Sequence, residues 1–165
     1  MDVVVFATGF HVTDSYTYVD IKGLGGEDLV DRWNREGIQA LHGVTVAGMP
    51  NLFFLLGPNT GLGHNSVVFM VESQIRYVGQ AIEAVLRRGA RALHPSREAQ
   101  DAYNRKLQEE LGGTVWNTGG CRSWYLDEHG VNRTLYSGMT WQYWLEMKRF
   151  DPAEYEFLGG AGDTR

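Results

Sequence analysis

The sequence predicts an α/β fold with few central strands, long covering helices and a C-terminal aromatic hairpin-and-helix region. Three stretches carry that expectation. Residues 52–78 pass from the apolar run LFFLLG through the loop PNTGLGHNS into VVFMVESQIRYV, whose apolar residues recur every three or four positions. That is strand, tight loop, helix. Val3 to Phe6 is a second unbroken apolar run, the pattern of a strand covered on both faces in the middle of a parallel sheet. The region after Gly113 is rich in aromatic and turn-forming residues. Open α/β sheets bind ligands at the carboxyl ends of their strands, where helix-start N–H groups can face an anion or an electron-rich ring edge. Any site should therefore touch the loop after Leu56.

Taken in order, Val3 to Phe6 ends in Ala7-Thr8-Gly9, and such a strand needs neighbours that the chain hardly supplies, since Leu52 to Leu56 is the one other run of its kind. The sheet reads as unfinished. Tyr16, Tyr18 and Asp20 alternate with Thr17, Val19 and Ile21, a half-exposed strand closed by a turn at Gly23 to Gly26. Glu27 to Trp33 makes a short helical turn at best. His42, Val44 and Val46 lead to the Met49-Pro50-Asn51 turn that feeds the second apolar run, and Pro50 stands before it, where its missing N–H does no harm. Val67, Val71, Ile75, Val78, Ile82 and Val85 form one apolar stripe on a long helix, with Ser73, Gln74, Arg76, Gln80 and Glu83 elsewhere. Asn65 or Ser66 can cap its start and Gly89 can end it. A second helix starts near Ser96, carries Tyr103, Leu107 and Leu111 at steps of four, and stops at Gly112-Gly113. Ser123 to Leu126 and Thr134 to Tyr136 can pair around Asp127 to Asn132. Thr140 to Arg149 reads as a last helix ended by Asp151-Pro152. Residues 1–158 read as one unit and 159–165 as a disordered tail.

Composition narrows the function. With 165 residues, 43% of them hydrophobic, the chain suits one domain or a piece of one. Its net charge of -5 is spread over mixed helical segments without a basic stripe, which argues against nucleic acid. One cysteine, Cys121, allows no internal disulfide and no cysteine-built metal site. No apolar run approaches the roughly 20 residues of a membrane span, and the first residues lack the basic-then-apolar pattern of a signal peptide. A cytoplasmic location is expected.

Self-sufficient chemistry is hard to find. The sequence holds no G-x-S-x-G elbow, no H-E-x-x-H, no P-loop and no Cys or His pair at metal-ligand spacing, so no metal site and no catalytic residue are assigned. Gly61-Leu62-Gly63-His64-Asn65-Ser66 mimics the start of a dinucleotide fingerprint. It lacks the third glycine, and the position about 20 residues on, where a ribose-binding acid belongs, still lies inside the long helix.

DVVVFATGF, MPNLFFLLGPNTGLGHNSVVFMVESQIRYV and WNTGGCRSWYLDEHGVNRTLYSG, in that order, resemble the C-terminal part of the class B flavin-dependent monooxygenases, the Baeyer–Villiger and flavin-containing monooxygenase group. The resemblance covers Asp2 to about Tyr155. It implies an incomplete piece of a two-dinucleotide-domain flavoprotein fold: the end of the NADPH domain and the returning part of the FAD domain. Both G-x-G-x-x-G fingerprints, the F-x-G-x-x-x-H-x-x-x-W/P signature and the active-site arginine of the Baeyer–Villiger branch belong to the part not matched. Ser137-Gly138 stands where many relatives have Pro-Gly. The implied cofactors are FAD and NADPH, and the implied partners are the missing N-terminal FAD- and NADPH-binding portion and a small organic substrate. The isolated chain, with strands left bare, is expected to self-associate. The implied function is insertion of one oxygen atom from O2 into a ketone or a soft nitrogen or sulfur centre, with the isolated chain inactive. The alternative is a non-catalytic binding or assembly module that completes a separately encoded N-terminal half.

The resemblance also assigns residues. Ala7, Thr8 and Gly9 match an A-T-G motif where the two domains cross and backbone nears the flavin nucleotide. Gly57, Pro58, His64, Asn65 and Ser66 match the segment that approaches the pyrimidine edge of the isoalloxazine ring, where a helix start would stabilise negative charge. Ser123, Trp124 and Tyr125 resemble a movable segment near the nicotinamide and substrate. Simpler roles stand beside these. His64 reads as a loop residue bonded to backbone rather than a base, because the family's oxygen chemistry belongs to the flavin. His42 reads as structural, Cys121 as a small packed side chain, and Trp116, Trp124, Trp141 and Trp144 as core or interdomain packing. For Asn65 and Ser66, capping explains the residues as well as flavin contact does.

Overall fold

A computed structural model of the chain describes residues 3–6, 16, 18–118, 125–127 and 129–159. Its helices are α1 (Leu29–Glu36), α2 (Val67–Arg88), α3 (Arg97–Gly112), the single turn α4 (Val115–Thr118) and α5 (Thr140–Met147); its strands are β1 (Ala92–Pro95) and β2 (Tyr155–Leu158). The mixed α/β character expected from the sequence is borne out.

Local chemistry sets the helix ends. Ser66 Oγ accepts from Phe69 N at the start of α2, and Gly89 closes the helix in the left-handed region at φ 60°, which glycine adopts without a Cβ clash. Ser96 Oγ accepts from Ala99 N at the start of α3, and Leu107 and Leu111 are buried on its inner face. The segment expected to be a helical turn at best is the two-turn helix α1. Asp28 Oδ1 accepts from Asp31 N, and Leu29 and Trp33, one turn apart, both reach a core.

Strands β1 and β2 pair antiparallel, with Ala92 opposite Leu158 and Pro95 opposite Tyr155. On the other edge of β1, Asn51 imitates a strand. Its N–H donates to Leu93 O, its Oδ1 accepts from Leu93 N, and its Nδ2 donates to Arg91 O. Two cores result. The larger gathers Met70, Tyr77 and Ala81 of α2, Leu107 and Leu111 of α3, and Tyr143 and Met147 of α5 with Leu93 and Tyr155. The smaller holds Leu29, Trp33, Ala40, Val46 and Met49.

Several strand expectations are corrected. Val3 to Phe6 forms no strand among the described residues, and its side chains are between 66% and 85% exposed. A strand meant for burial on both faces needs neighbours on both edges, and the described residues offer none. Leu52 to Leu56 is no strand either: Phe53 alone bridges to Thr45, while Leu55 and Leu56 are exposed and Leu56 turns to φ 59°. Tyr16 to Ile21 forms no strand among its described members, although Leu24–Gly26 makes the expected turn, as a short 3-10 segment. Leu126 bridges Asn132, closing a tight turn at Asp127, and residues 134–136 pair with the loop at Gly61; Ser123 and Trp124 of the expected hairpin lie outside the described residues. The last helix stops at Met147, and the tail beyond Gly159 lies outside the described residues.

The face of α2 is corrected as well. Its buried residues are Met70, Ser73, Gln74, Tyr77 and Ala81, so two polar residues expected outside lie inside. Val67, Ile75 and Ile82 of the expected stripe are exposed. Gln74 wins a buried place because both ends of its amide find partners there, as shown below.

Candidate functional site

The loop of residues 57–66 is held from three sides. At its start, Gly57 and Gly43 meet face to face. A Cβ on Gly57 would lie 2.3 Å from Gly43 O, and one on Gly43 would lie 2.1 Å from Thr60 Cγ2 and 2.6 Å from Pro58 O. Only glycine fits at these two positions. Thr60 Oγ donates to Gly57 O at 2.7 Å and tightens the turn. Pro58, Asn59 and Thr60 are buried.

Asn59 carries the middle of the loop. Its Nδ2 donates to Asn132 O at 2.8 Å and to Leu135 O at 3.0 Å, and its N–H donates to Arg133 O. The Asn59 backbone sits at φ 55°, a region asparagine tolerates better than most residues. Asn132 completes the clamp by accepting from the N–H groups of Thr134 and Leu135 through Oδ1. Gly61 then runs parallel to residues 134–136: its N–H donates to Thr134 O, and its carbonyl accepts from Tyr136 N.

At the far end, the ring of Trp116 lies against Gly63, where a Cβ would come within 2.7 Å of it. The same ring packs edge-to-face on Tyr125 at 5.4 Å. The structure therefore brings Tyr125 beside the loop through Trp116. His64, Asn65 and Ser66 are exposed. Ser66 is the helix cap. Asn65 does something else: its Oδ1 accepts from Ser66 N at 2.7 Å and its Nδ2 donates to Thr140 Oγ at 3.1 Å, tying the loop to the first residue of α5. Ala7, Thr8, Gly9, Cys121, Ser123 and Trp124 lie outside the described residues.

A buried polar relay supports this loop from below. Gln74 Oε1 accepts from Leu56 N at 2.8 Å, Gln74 Nε2 donates to the Tyr143 hydroxyl at 2.9 Å, and that hydroxyl donates to His42 O at 2.7 Å. Burial pushes the Tyr143 hydroxyl above its ordinary range, so it stays a neutral donor. Nearby, the hydroxyls of Tyr77 and Thr45 both pair with Tyr155, whose own pKa burial raises to about 12. His42 Nε2 meets Glu154, consistent with a structural role.

Asn59, Gln74, Asn132 and Tyr143 are the site-forming residues that the sequence did not single out. The signal was present for Gln74, which has Met70, Val71, Tyr77 and Val78 one turn away on the helix, yet spacing alone assigned it to the wet side.

The start of α2 is electrically bare. Helices α1 and α3 carry Asp31 and Glu98 in their first turns, which neutralise the positive end of the dipole, whereas α2 has no acid there. Leu55, Leu56, Val67, Val68 and Phe69 around it are exposed. A flat group with an apolar face and an electron-rich edge suits such a surface better than a hydrated ion does.

No family model matches the chain. It is 46% identical over 156 residues to a Baeyer–Villiger monooxygenase of Pseudomonas aeruginosa, an alignment covering 94% of this chain and 29% of the relative. A Baeyer–Villiger monooxygenase of Streptomyces coelicolor is 44% identical over 161 residues, covering 97% of this chain and 31% of the relative. In fold, the chain matches cyclohexanone monooxygenase from Rhodococcus sp. Phi1, solved bound to NADP+, with a TM-score of 0.78 over 97% of this chain and 31% of that one, at 24% identity. The fold is thus that of one part of a cyclohexanone monooxygenase. The chain belongs to the class B flavin-dependent monooxygenases, the Baeyer–Villiger group, and corresponds to the C-terminal part of its members. It spans about 30% of the length of the curated relatives it matches. Among the described residues, no helix is long and apolar enough to cross a membrane.

Proposed function

We propose that this chain serves, in the cytoplasm, as the C-terminal portion of an NADPH- and FAD-dependent monooxygenase that inserts one oxygen atom from O2 into a ketone or a soft nitrogen or sulfur centre. Residues 1–158 act as one unit in that role. Alone, the chain is inactive and self-associates. The observation that carries this reading is the bare start of α2, set by a clamped glycine loop beside exposed Leu55, Leu56 and Phe69.

These residues fit the edge of a flavin ring. The first-turn N–H groups of a helix have no partners within the helix, and no carboxylate stands there to repel negative charge. When bound, FAD supplies the redox and oxygen chemistry. This chain's part is to position and to exclude. The α2 start would favour negative charge at the ring edge. The exposed apolar residues would keep water from that edge. Gly57 and Pro58 set the loop, while His64, Asn65 and Ser66 present it. In the same reading, Ala7, Thr8 and Gly9 approach the nucleotide part of the flavin, and Ser123, Trp124 and Tyr125 lie toward the nicotinamide and substrate.

The test is a chimera in which this chain replaces the matching segment of the Pseudomonas relative. It should purify yellow and oxidise NADPH in the presence of a ketone, whereas the chain alone should be colourless. A colourless, inactive but folded chimera would refute the proposal. Asn65→Asp in the chimera tests the placement of the loop. The hydroxyl of Thr140 can turn to donate to the new carboxylate and Ser66 N keeps its acceptor, so the fold should survive. An added negative charge near the ring should lower the flavin reduction potential. An unchanged potential would place the flavin elsewhere.

A further inference from the structure

Helix α2 is apolar over much more of its circumference than this chain covers. At 100° per residue, the buried face of Met70, Gln74, Tyr77 and Ala81 is followed round the helix by Val71, Val78 and Val85, and then by Val68, Ile75, Ile82 and Leu86. That outer band is bare: Val68 is 66% exposed, Ile75 54%, Ile82 48% and Leu86 73%. Beyond it begins the charged side, with Glu72, Arg76 and Glu83. A helix apolar on two adjoining faces is a core helix with two partners.

Gly79 lies in the same outer band. A glycine in the middle of a helix weakens it, and one kept there normally answers to a close neighbour. Here a Cβ would meet nothing within 4 Å, so nothing in the described chain explains it. Glycine at a helix crossing lets the partner backbone approach closely, between ridges formed here by residues 75, 82 and 86.

We infer that the band Val68, Ile75, Gly79, Ile82 and Leu86 is the seat of the nucleotide-binding portion of the monooxygenase, packed closest at Gly79. This rests on the proposed function. The occupant follows from coverage: 97% of this chain superposes on 31% of a solved monooxygenase, so the larger part of such an enzyme has still to find a surface on this one. Position agrees. The band starts at Val68, in the first turn of α2, and so runs without a break from the rim of the proposed flavin site.

The test compares the chain alone, diluted until light scattering shows a monomer, with the flavin-loaded chimera described above. Ile82→Cys, in the band, and Glu83→Cys, on the charged side, are labelled with a maleimide and the label is located by mass spectrometry. The cysteine at 82 should react at least tenfold more slowly in the chimera than in the chain alone, and the cysteine at 83 at a similar rate in both. Gly79→Leu should leave the helicity of the chain alone undiminished and reduce flavin retained by the chimera severalfold. A yellow, NADPH-oxidising chimera in which position 82 reacts as fast as in the chain alone would overturn the inference and leave the functional reading standing. A chimera that folds without taking up FAD would remove both.

Discussion

Helices α2 and α3 begin alike and end up differently. Each is capped by a serine whose Oγ accepts from the N–H three residues on, and each packs an inner face into the larger core. The buried amide side chains of helix α3 find their partners within the chain, although its buried Tyr103 hydroxyl has none. Gln100 Oε1 accepts from Ala47 N, Asn104 Nδ2 donates to Ala40 O, and Leu107 and Leu111 are buried, while its outer side carries Arg97, Asp101, Lys106 and Glu110. Helix α2 has an equally closed inner face, but its outer face is apolar and bare and its first turn lacks an acid. Where polar groups are satisfied internally and the outside is charged, the element is finished; where apolar residues face out beside an uncompensated dipole, it still has something to bind.

Substitutions on the two faces of α2 should break this comparison most sharply if it is wrong. Met70→Ala on the inner face removes a fully buried side chain from a closed core and should cost about 2–5 kcal/mol in urea unfolding of the chain alone. Comparable values for Met70→Ala and Ile82→Ala would mean that the two faces are not different in kind. Asn59→Ala should cost about 1–3 kcal/mol, because the carbonyl of Leu135 loses its amide donor and a left-handed position loses a tolerant residue. Ser66→Ala should cost about 1 kcal/mol, the usual value of an N-cap, read from the same unfolding curves. Ile82→Ala should lie within about 0.5 kcal/mol of the unaltered chain, since it is half exposed there.

A pH series sharpens the picture of the closed side. Burial is the main cause that raises the Glu146 carboxyl above its ordinary value of 4.5. The Tyr136 hydroxyl, His42 and Lys106 pull it down, and Glu110 pushes it up. A raised native pKa means the folded state holds its proton more tightly than the unfolded chain. The associated stability is therefore full below about 4.5 and is lost as pH rises through the native value. Glu146→Gln keeps an acceptor for Tyr136 and removes the titration. Its urea midpoint should gain on that of the unaltered chain as pH rises above 4.5. Parallel profiles would show that the carboxyl is no worse off in the fold than outside it.

The sequence by itself determined the two long helices and their ends. Ser66 and Gly89 bound α2, Ser96 and Gly112 bound α3, and these are local events between residues a few positions apart. It also placed a tight glycine loop after Leu56 that runs into a helix start, because both are written in consecutive residues. Only the tertiary structure decided which face of α2 is inside. An apolar arc that wide offers two faces of similar hydrophobicity, and the choice fell to the face where Gln74 could reach Leu56 N and Tyr143 across gaps of 18 and 69 residues. Strand β1 likewise needed Tyr155–Leu158 on one edge and Asn51 on the other, partners that no local pattern names. Val3 to Phe6 and Leu52 to Leu56 were written as strands and did not become strands here. A strand is completed by its neighbours, and hydrogen bonds across a sheet cannot be made by one run alone.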